Sequence, residues 1–215
     1  MIKIDVYSDV VCPWCFIGKR HLDAALEEFR RNDSADLAVT WRPFQLNPQL
    51  PPQGIPRKTY VDTKFGGAQR AAAIYQRVSE AGRQTGIEFA FDKIITQPNT
   101  LNAHRLIHHA QDSGKQDAVV TRLFEAYFLQ GADLTDNAAL STIAAAAGLP
   151  GEDTRRYLDS DENATDIAAA DASAHAMGIQ GVPFFVFNHR YAVSGAQPRE
   201  DLLRMLQQAN AAVVD

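Results

Sequence analysis

Asp9-Val10-Val11-Cys12-Pro13-Trp14-Cys15-Phe16-Ile17-Gly18 contains both cysteines of this chain, and the setting of that pair decides the fold. Upstream, Ile2, Ile4 and Val6 alternate with Lys3, Asp5 and Tyr7, the period-two pattern of a strand. Downstream, Ile17, Leu22, Ala25, Leu26 and Phe29 recur at helical spacing, so a helix is expected from about Cys12 to Arg31. The cysteines therefore sit where a strand gives way to a helix. A cysteine at a helix start faces unpaired backbone N–H groups and the positive end of the helix dipole. Both favour the thiolate, which is the nucleophile of disulfide chemistry. Cys12 is the candidate attacking sulfur, and Cys15, one turn later, the candidate resolving one. Pro13 suits the first helical turn, where its missing N–H would have no partner anyway.

A zinc site would need about four ligands, and no second C-x-x-C follows. His104 and His108 share a helix face at i and i+4, but no third histidine or carboxylate stands at a suitable spacing, so no metal is expected. With 215 residues and 46% hydrophobic content the chain can bury a core without cross-links. It is long for one minimal redox domain, which predicts an insertion or second lobe. A net charge of -5 argues against a nucleic-acid role, and Arg30-Arg31 and Arg155-Arg156 read as solvated helix faces. No apolar run approaches the roughly 18 residues of a membrane span. The start Met1-Ile2-Lys3-Ile4-Asp5 runs directly into a strand, leaving no room for a signal peptide. A lone C-x-x-C in such a chain points to a catalytic disulfide and a cytoplasmic location.

Leu37 to Phe44 reads as a second strand, and Pro48, Pro51, Pro52, Gly54 and Pro56 as a rigid connector. Helical segments are predicted over 58–66, 68–85, 99–113, 115–130, 136–147, 151–160 and 162–177, with Asn99 or Thr100 as a cap and Gly148 as a stop. Phe184 to Phe187 and Tyr191 to Val193 then form a hairpin around Asn188-His189-Arg190. A closing helix begins at Pro198 and ends near Ala212. Gly181-Val182-Pro183 precedes the hairpin. Pro183 reads either as an ordinary strand-start proline or as a cis proline whose loop offers backbone groups to an extended substrate.

Several stretches resemble the DsbA-like thiol oxidoreductases of the FrnE subfamily. They are the 9–18 stretch quoted above, Trp41-Arg42-Pro43-Phe44-Gln45-Leu46-Asn47-Pro48, Asn99-Thr100-Leu101-Asn102-Ala103-His104-Arg105, Gly181-Val182-Pro183-Phe184-Phe185-Val186 and Ser194-Gly195-Ala196-Gln197-Pro198. The resemblance implies an α/β chain with a thioredoxin-like fold and a large all-helical insertion. Residues 1–56 and 178–215 would form the discontinuous thioredoxin-like domain, and 57–177 the insertion. It also implies a protein disulfide oxidoreductase working through a Cys12–Cys15 disulfide, with a cis Pro183 facing Cys12. Some members carry further cysteines near the C-terminus, whereas this chain has none.

The same fold group includes 2-hydroxychromene-2-carboxylate isomerases and kappa-class glutathione transferases, which typically have a serine where Cys12 stands. A glutathione-dependent isomerase or transferase is therefore the alternative, and the presence of both cysteines favours exchange. No cofactor is required, although glutathione is a candidate ligand or co-substrate at Asn47, Val182 and Gln197, with Trp14 as an apolar contact. Expected partners are thiol- or disulfide-containing proteins or glutathione, with a homodimer left open. Asp9 and Asp5 are candidate proton acceptors for Cys15, since a buried carboxylate has a raised pKa. Asp5 also reads as a solvent-facing strand residue, Asp9 as a cap or brace of the loop, Asn47 as an ordinary connector residue and Gln197 as a helix-start residue; His104 reads as a helix-packing residue or as one that hydrogen-bonds near the active-site groove.

Overall fold

The computed structural model describes residues 1–214. Its centre is a four-stranded mixed sheet in the order β2-β1-β5-β6. β1 (Ile2–Ser8) pairs in parallel with β2 (Leu37–Pro43) and antiparallel with β5 (Phe184–Phe187), which turns into β6 (Tyr191–Ser194). Asn188 and His189 take φ of 50° and 55° in the three-residue loop between β5 and β6, whose Arg190 N–H donates to Phe187 O at 3.0 Å. Ile2, Ile4 and Val6 are buried in the main core with α1 (Pro13–Asn32) and with Leu202 and Leu206 of α9 (Arg199–Val214). The other sheet face carries Tyr7 and Phe184, which pack with Phe44, Ala174 and Ile179.

Seven helices lie between β2 and β5 in sequence: α2 (Arg57–Phe65), α3 (Ala68–Gln84), α4 (Leu101–His109), α5 (Gln116–Glu125), α6 (Asn137–Ala146), α7 (Gly151–Asp159) and α8 (Ala164–Ala176). Two-residue strands β3 (Ile55–Pro56) and β4 (Thr96–Gln97) pair antiparallel within this stretch; they are too short to leave a period-two signal. The helix expected over 99–113 ends at His109, and the chain turns through Gly114 at φ 68°. The helix expected to Gln130 is α-helical to Glu125 and then widens into a π-helical turn over Ala126–Gln130.

Side chains fix the helical stretch to the sheet. Lys19 of α1, itself buried, donates to Asp117 of α5 at 2.9 Å, and Trp41 Nε1 donates to the same carboxylate at 3.2 Å. Phe16 stacks on Phe124 with ring centroids 5.1 Å apart. Arg105, only 2% exposed, has no carboxylate partner among the described residues and donates instead to carbonyls at the end of α7: Tyr157, Leu158, Ser160 and Glu162. A helix C-terminus leaves such carbonyls without partners, and a cation there is favourable. Replacing Arg105 with Met removes these charge-assisted hydrogen bonds and the one to Asn102 Oδ1, although Tyr157 O keeps Ser160 and Leu158 O keeps Asn137 as donors; bonds to a charged group contribute about 1.5–3 kcal/mol each. Arg105→Met is expected to lower unfolding free energy by about 3–5 kcal/mol in urea titrations, and a loss under about 1 kcal/mol would refute this capping role.

Candidate active site

The junction between β1 and α1 is a tight turn: Asp9 O accepts the Cys12 N–H at 3.0 Å. Cys12 is the N-cap of α1, with extended φ and ψ of -92° and 110°, and its carbonyl accepts from Cys15 N at 3.0 Å and Phe16 N at 3.3 Å. Both cysteines are free thiols and both are buried, whereas Trp14 between them is 42% exposed. Solvent therefore meets the motif through an apolar indole.

The loop before β5 lies against this motif. Its Val182–Pro183 peptide bond is cis, and Cys12 Sγ donates to the Val182 carbonyl at 3.5 Å. Gly18, one turn beyond Cys15, allows the approach. A Cβ at that position would lie 2.8 Å from Pro183 Cγ and 3.4 Å from Phe185 Cζ. Glycine inside a helix is unfavourable by roughly 1 kcal/mol relative to alanine, so its presence in α1 is a sign of close packing that could have been weighted in the sequence.

The two sulfurs have different surroundings. Burial pushes the Cys15 thiol well above its ordinary pKa, and the neighbouring Cys12 sulfur pushes it the same way. The Ser8 hydroxyl and the Asp9 main chain act in the opposite direction. Cys15 is thus held as a thiol at neutral pH. Ser8 drew no attention in the sequence, because a serine at a strand end carries no signal of its own.

Asp9 is fully buried. Its Oδ2 accepts the Leu46 N–H at 2.7 Å, and its Oδ1 lies 3.4 Å from Nε2 of the buried His104. Neither Asp9 Oδ1 nor His104 Nε2 has a hydrogen-bond partner. His104, read from sequence as a packing residue, is thus the ionisable neighbour of Asp9. Asp5 is also buried, unlike a solvent-facing strand residue, but it points to the Tyr7 face of β1. There its carboxylate accepts from Arg42 Nε at 2.7 Å and lies 3.4 Å from His189 Nδ1.

Asn47 is buried with Nδ2 unpartnered, and it helps line a cavity of about 390 Å³ with Leu46, Leu50, Ile55, Tyr60 and Lys64. Gln197 lies just before α9; its side chain donates to Ser194 O at 2.7 Å, and its carbonyl meets His21 Nδ1 at 2.7 Å. No group of three or more metal-binding side chains occurs among the described residues.

Gly18→Ala forces α1 and the Pro183 loop apart, and overpacking of this kind costs about 1–3 kcal/mol. A lower melting temperature together with slower thiol chemistry at Cys12 is expected, and unchanged values of both would show that the approach is not tight. The Cys15 shift sets a pH dependence. In Cys12→Ser, alkylation of Cys15 should rise about tenfold per pH unit between about pH 7 and pH 9, since only the thiolate reacts. A plateau below about pH 8 would contradict the burial argument. The sign for stability follows: the fold favours neutral Cys15, so that contribution is present below about pH 8.5 and is lost as pH rises through the raised pKa.

Residues 3–207 match the DSBA-like thioredoxin domain family. An uncharacterised Bacillus subtilis protein, YwbO, is 29% identical over 195 residues, covering 86% of each chain. A probable DsbA oxidoreductase from Streptomyces coelicolor is 30% identical and superposes with a TM-score of 0.87 over 98% of this chain and 91% of that one. The cytosolic disulfide reductase DsbM from Pseudomonas aeruginosa, solved with GSH, is 19% identical, with a TM-score of 0.69 over 96% and 98%. Together with the strand–C-x-x-C–helix core and its helical stretch, these matches place the chain in the DSBA-like thioredoxin domain family.

Proposed function

We propose that this protein is a cytoplasmic thiol–disulfide oxidoreductase that exchanges electrons with protein or small-molecule thiols through a Cys12–Cys15 disulfide. The observation that carries this reading is the 3.5 Å contact between Cys12 Sγ and the Val182 carbonyl, beside a cysteine whose burial keeps it protonated. One sulfur is placed at the substrate loop and the other is held in reserve.

The chemistry balances in two steps. Cys12 thiolate attacks a sulfur of the substrate disulfide: the Cys12–substrate bond forms, the substrate S–S bond breaks, and the leaving thiolate takes a proton from solvent. Cys15 then loses its proton and attacks Cys12: the Cys12–Cys15 bond forms and the second substrate thiol departs. Two electrons pass to the substrate, and the reverse sequence oxidises a dithiol. Asp9 is the proton acceptor we assign to Cys15, since its main chain borders both cysteines and its Oδ1 lacks a hydrogen-bond partner. Asp5, already engaged by Arg42, is not assigned that task. Pro183 shapes the groove, Val182 offers backbone groups to an extended substrate as an added strand would, and Trp14 supplies apolar contact.

Glutathione is the small thiol we assign to the site. Asn47 and Lys64 line one cavity, and an amide with a cation suits a peptide-like ligand with carboxylates. The DsbM structure solved with GSH adds support by analogy of fold.

Equilibration in graded glutathione buffers, followed by acid quench and intact mass, tests the reading. The expected result is a reversible loss of two hydrogens, absent in Cys12→Ser. A persistent glutathione adduct on Cys12 with no internal disulfide would favour the isomerase or transferase alternative.

A further inference from the structure

The segment after β2, Gln45 to Leu50, is held from behind with unusual thoroughness. The Gln45 N–H donates to Asp171 Oδ1 at 2.6 Å, and the next N–H, that of Leu46, donates to Asp9 Oδ2 at 2.7 Å. The two carboxylates come from separate elements, α8 and the β1–α1 turn, and both are buried. Each is backed by a histidine: His175 Nε2 lies 3.5 Å from Asp171 Oδ1, and His104 Nε2 lies 3.4 Å from Asp9 Oδ1. The His175 ring also packs on Phe44 with centroids 4.1 Å apart. At the far end of the segment, Asn99 Nδ2 donates to Leu50 O at 2.7 Å.

Burying a carboxylate is costly unless it is paired or well bonded. Gln45 and Asn47 are themselves buried, so this backbone cannot turn to water, and the two carboxylates are the acceptors that hold its consecutive N–H groups in place. The opposite side of the segment is the cavity wall, where Leu46, Asn47, Gln49 and Leu50 line the space shared with Tyr60 and Lys64. Because the Asp9 main chain also holds the Cys12 N–H, the wall and the redox motif are referenced to the same residue.

We propose that Asp171, together with Asp9, fixes the Gln45–Asn47 backbone as the specificity-determining wall for the thiol substrate, with His175 and His104 as positioning residues behind the two carboxylates. This inference rests on the exchange activity proposed above. It assigns Asp171 and His175 to substrate affinity and leaves sulfur chemistry to the cysteine motif.

The test is steady-state reduction of a fluorescent disulfide-linked peptide with glutathione as the varied reductant. Two glutathione molecules are oxidised to one disulfide for each peptide bridge reduced. Asp171→Ala is expected to raise KM for glutathione about tenfold, with kcat and the Cys12–Cys15 equilibrium constant within twofold of the unaltered protein. Asp171→Asn, which keeps an acceptor oxygen for Gln45 N–H, should recover most of that loss. An unchanged KM in a folded Asp171→Ala protein overturns the inference, as does an equal fall in kcat. Should Asp171→Ala not fold, His175→Gln decides: a twofold to fourfold rise in KM supports the assignment and an unaltered KM overturns it. If the unaltered protein shows no turnover at all, the exchange reading itself fails, and this inference with it.

Discussion

The burial of one carboxylate organises the site. Asp9 is removed from solvent at the point where β1 becomes α1, and a carboxyl group so placed draws its partners from the surrounding protein. Its side chain takes Leu46 N–H and faces His104, while its main chain takes Cys12 N–H and influences the Cys15 sulfur. The redox motif, the segment after β2 and helix α4 therefore share one reference point. The helical stretch is registered against the site by its own contacts, such as that of the buried Lys19 with the more exposed Asp117, rather than by chain connectivity alone.

Within that frame the proposed exchange divides its chemistry between the two cysteines. Cys12 stands at a helix start and touches the Val182 carbonyl, so its sulfur is at the loop where a substrate would lie. Cys15 is one turn deeper and almost fully enclosed, and burial keeps it a thiol. A resolving cysteine held in this way does not compete for substrate, and it becomes a nucleophile when a mixed disulfide forms next to it and its proton is taken. Gly18 lets α1 and the Pro183 loop meet closely enough for this arrangement.

Much of the framework was legible in the sequence because it rests on short-range rules. The Ile2-Ile4-Val6 alternation, the apolar spacing after Cys15, and the Phe184 and Tyr191 runs all specified elements that the structure contains at nearly the stated bounds. The π-helical turn at Ala126–Gln130 was not legible, since its apolar residues keep ordinary helical spacing, and α4 ends earlier than that spacing suggests, in the turn that leads to Gly114. The same holds at the site. The C-x-x-C announces itself by spacing, but the partnership of Asp9 with His104 spans 95 positions, and that of Asp171 with Gln45 spans 126. Asp5 shows the converse: strand alternation gave its face, but not that Arg42 and His189 would occupy its carboxylate.

The division of labour between the sulfurs is open to trapping. Reduced Cys15→Ser and Cys12→Ser proteins would each be treated with glutathione disulfide near neutral pH and followed by intact mass over time. The account predicts that Cys15→Ser accumulates one stable glutathione adduct at Cys12, while Cys12→Ser stays largely unmodified because its remaining thiol is buried and protonated. Rapid labelling of Cys12→Ser, or an inert Cys15→Ser, would contradict it.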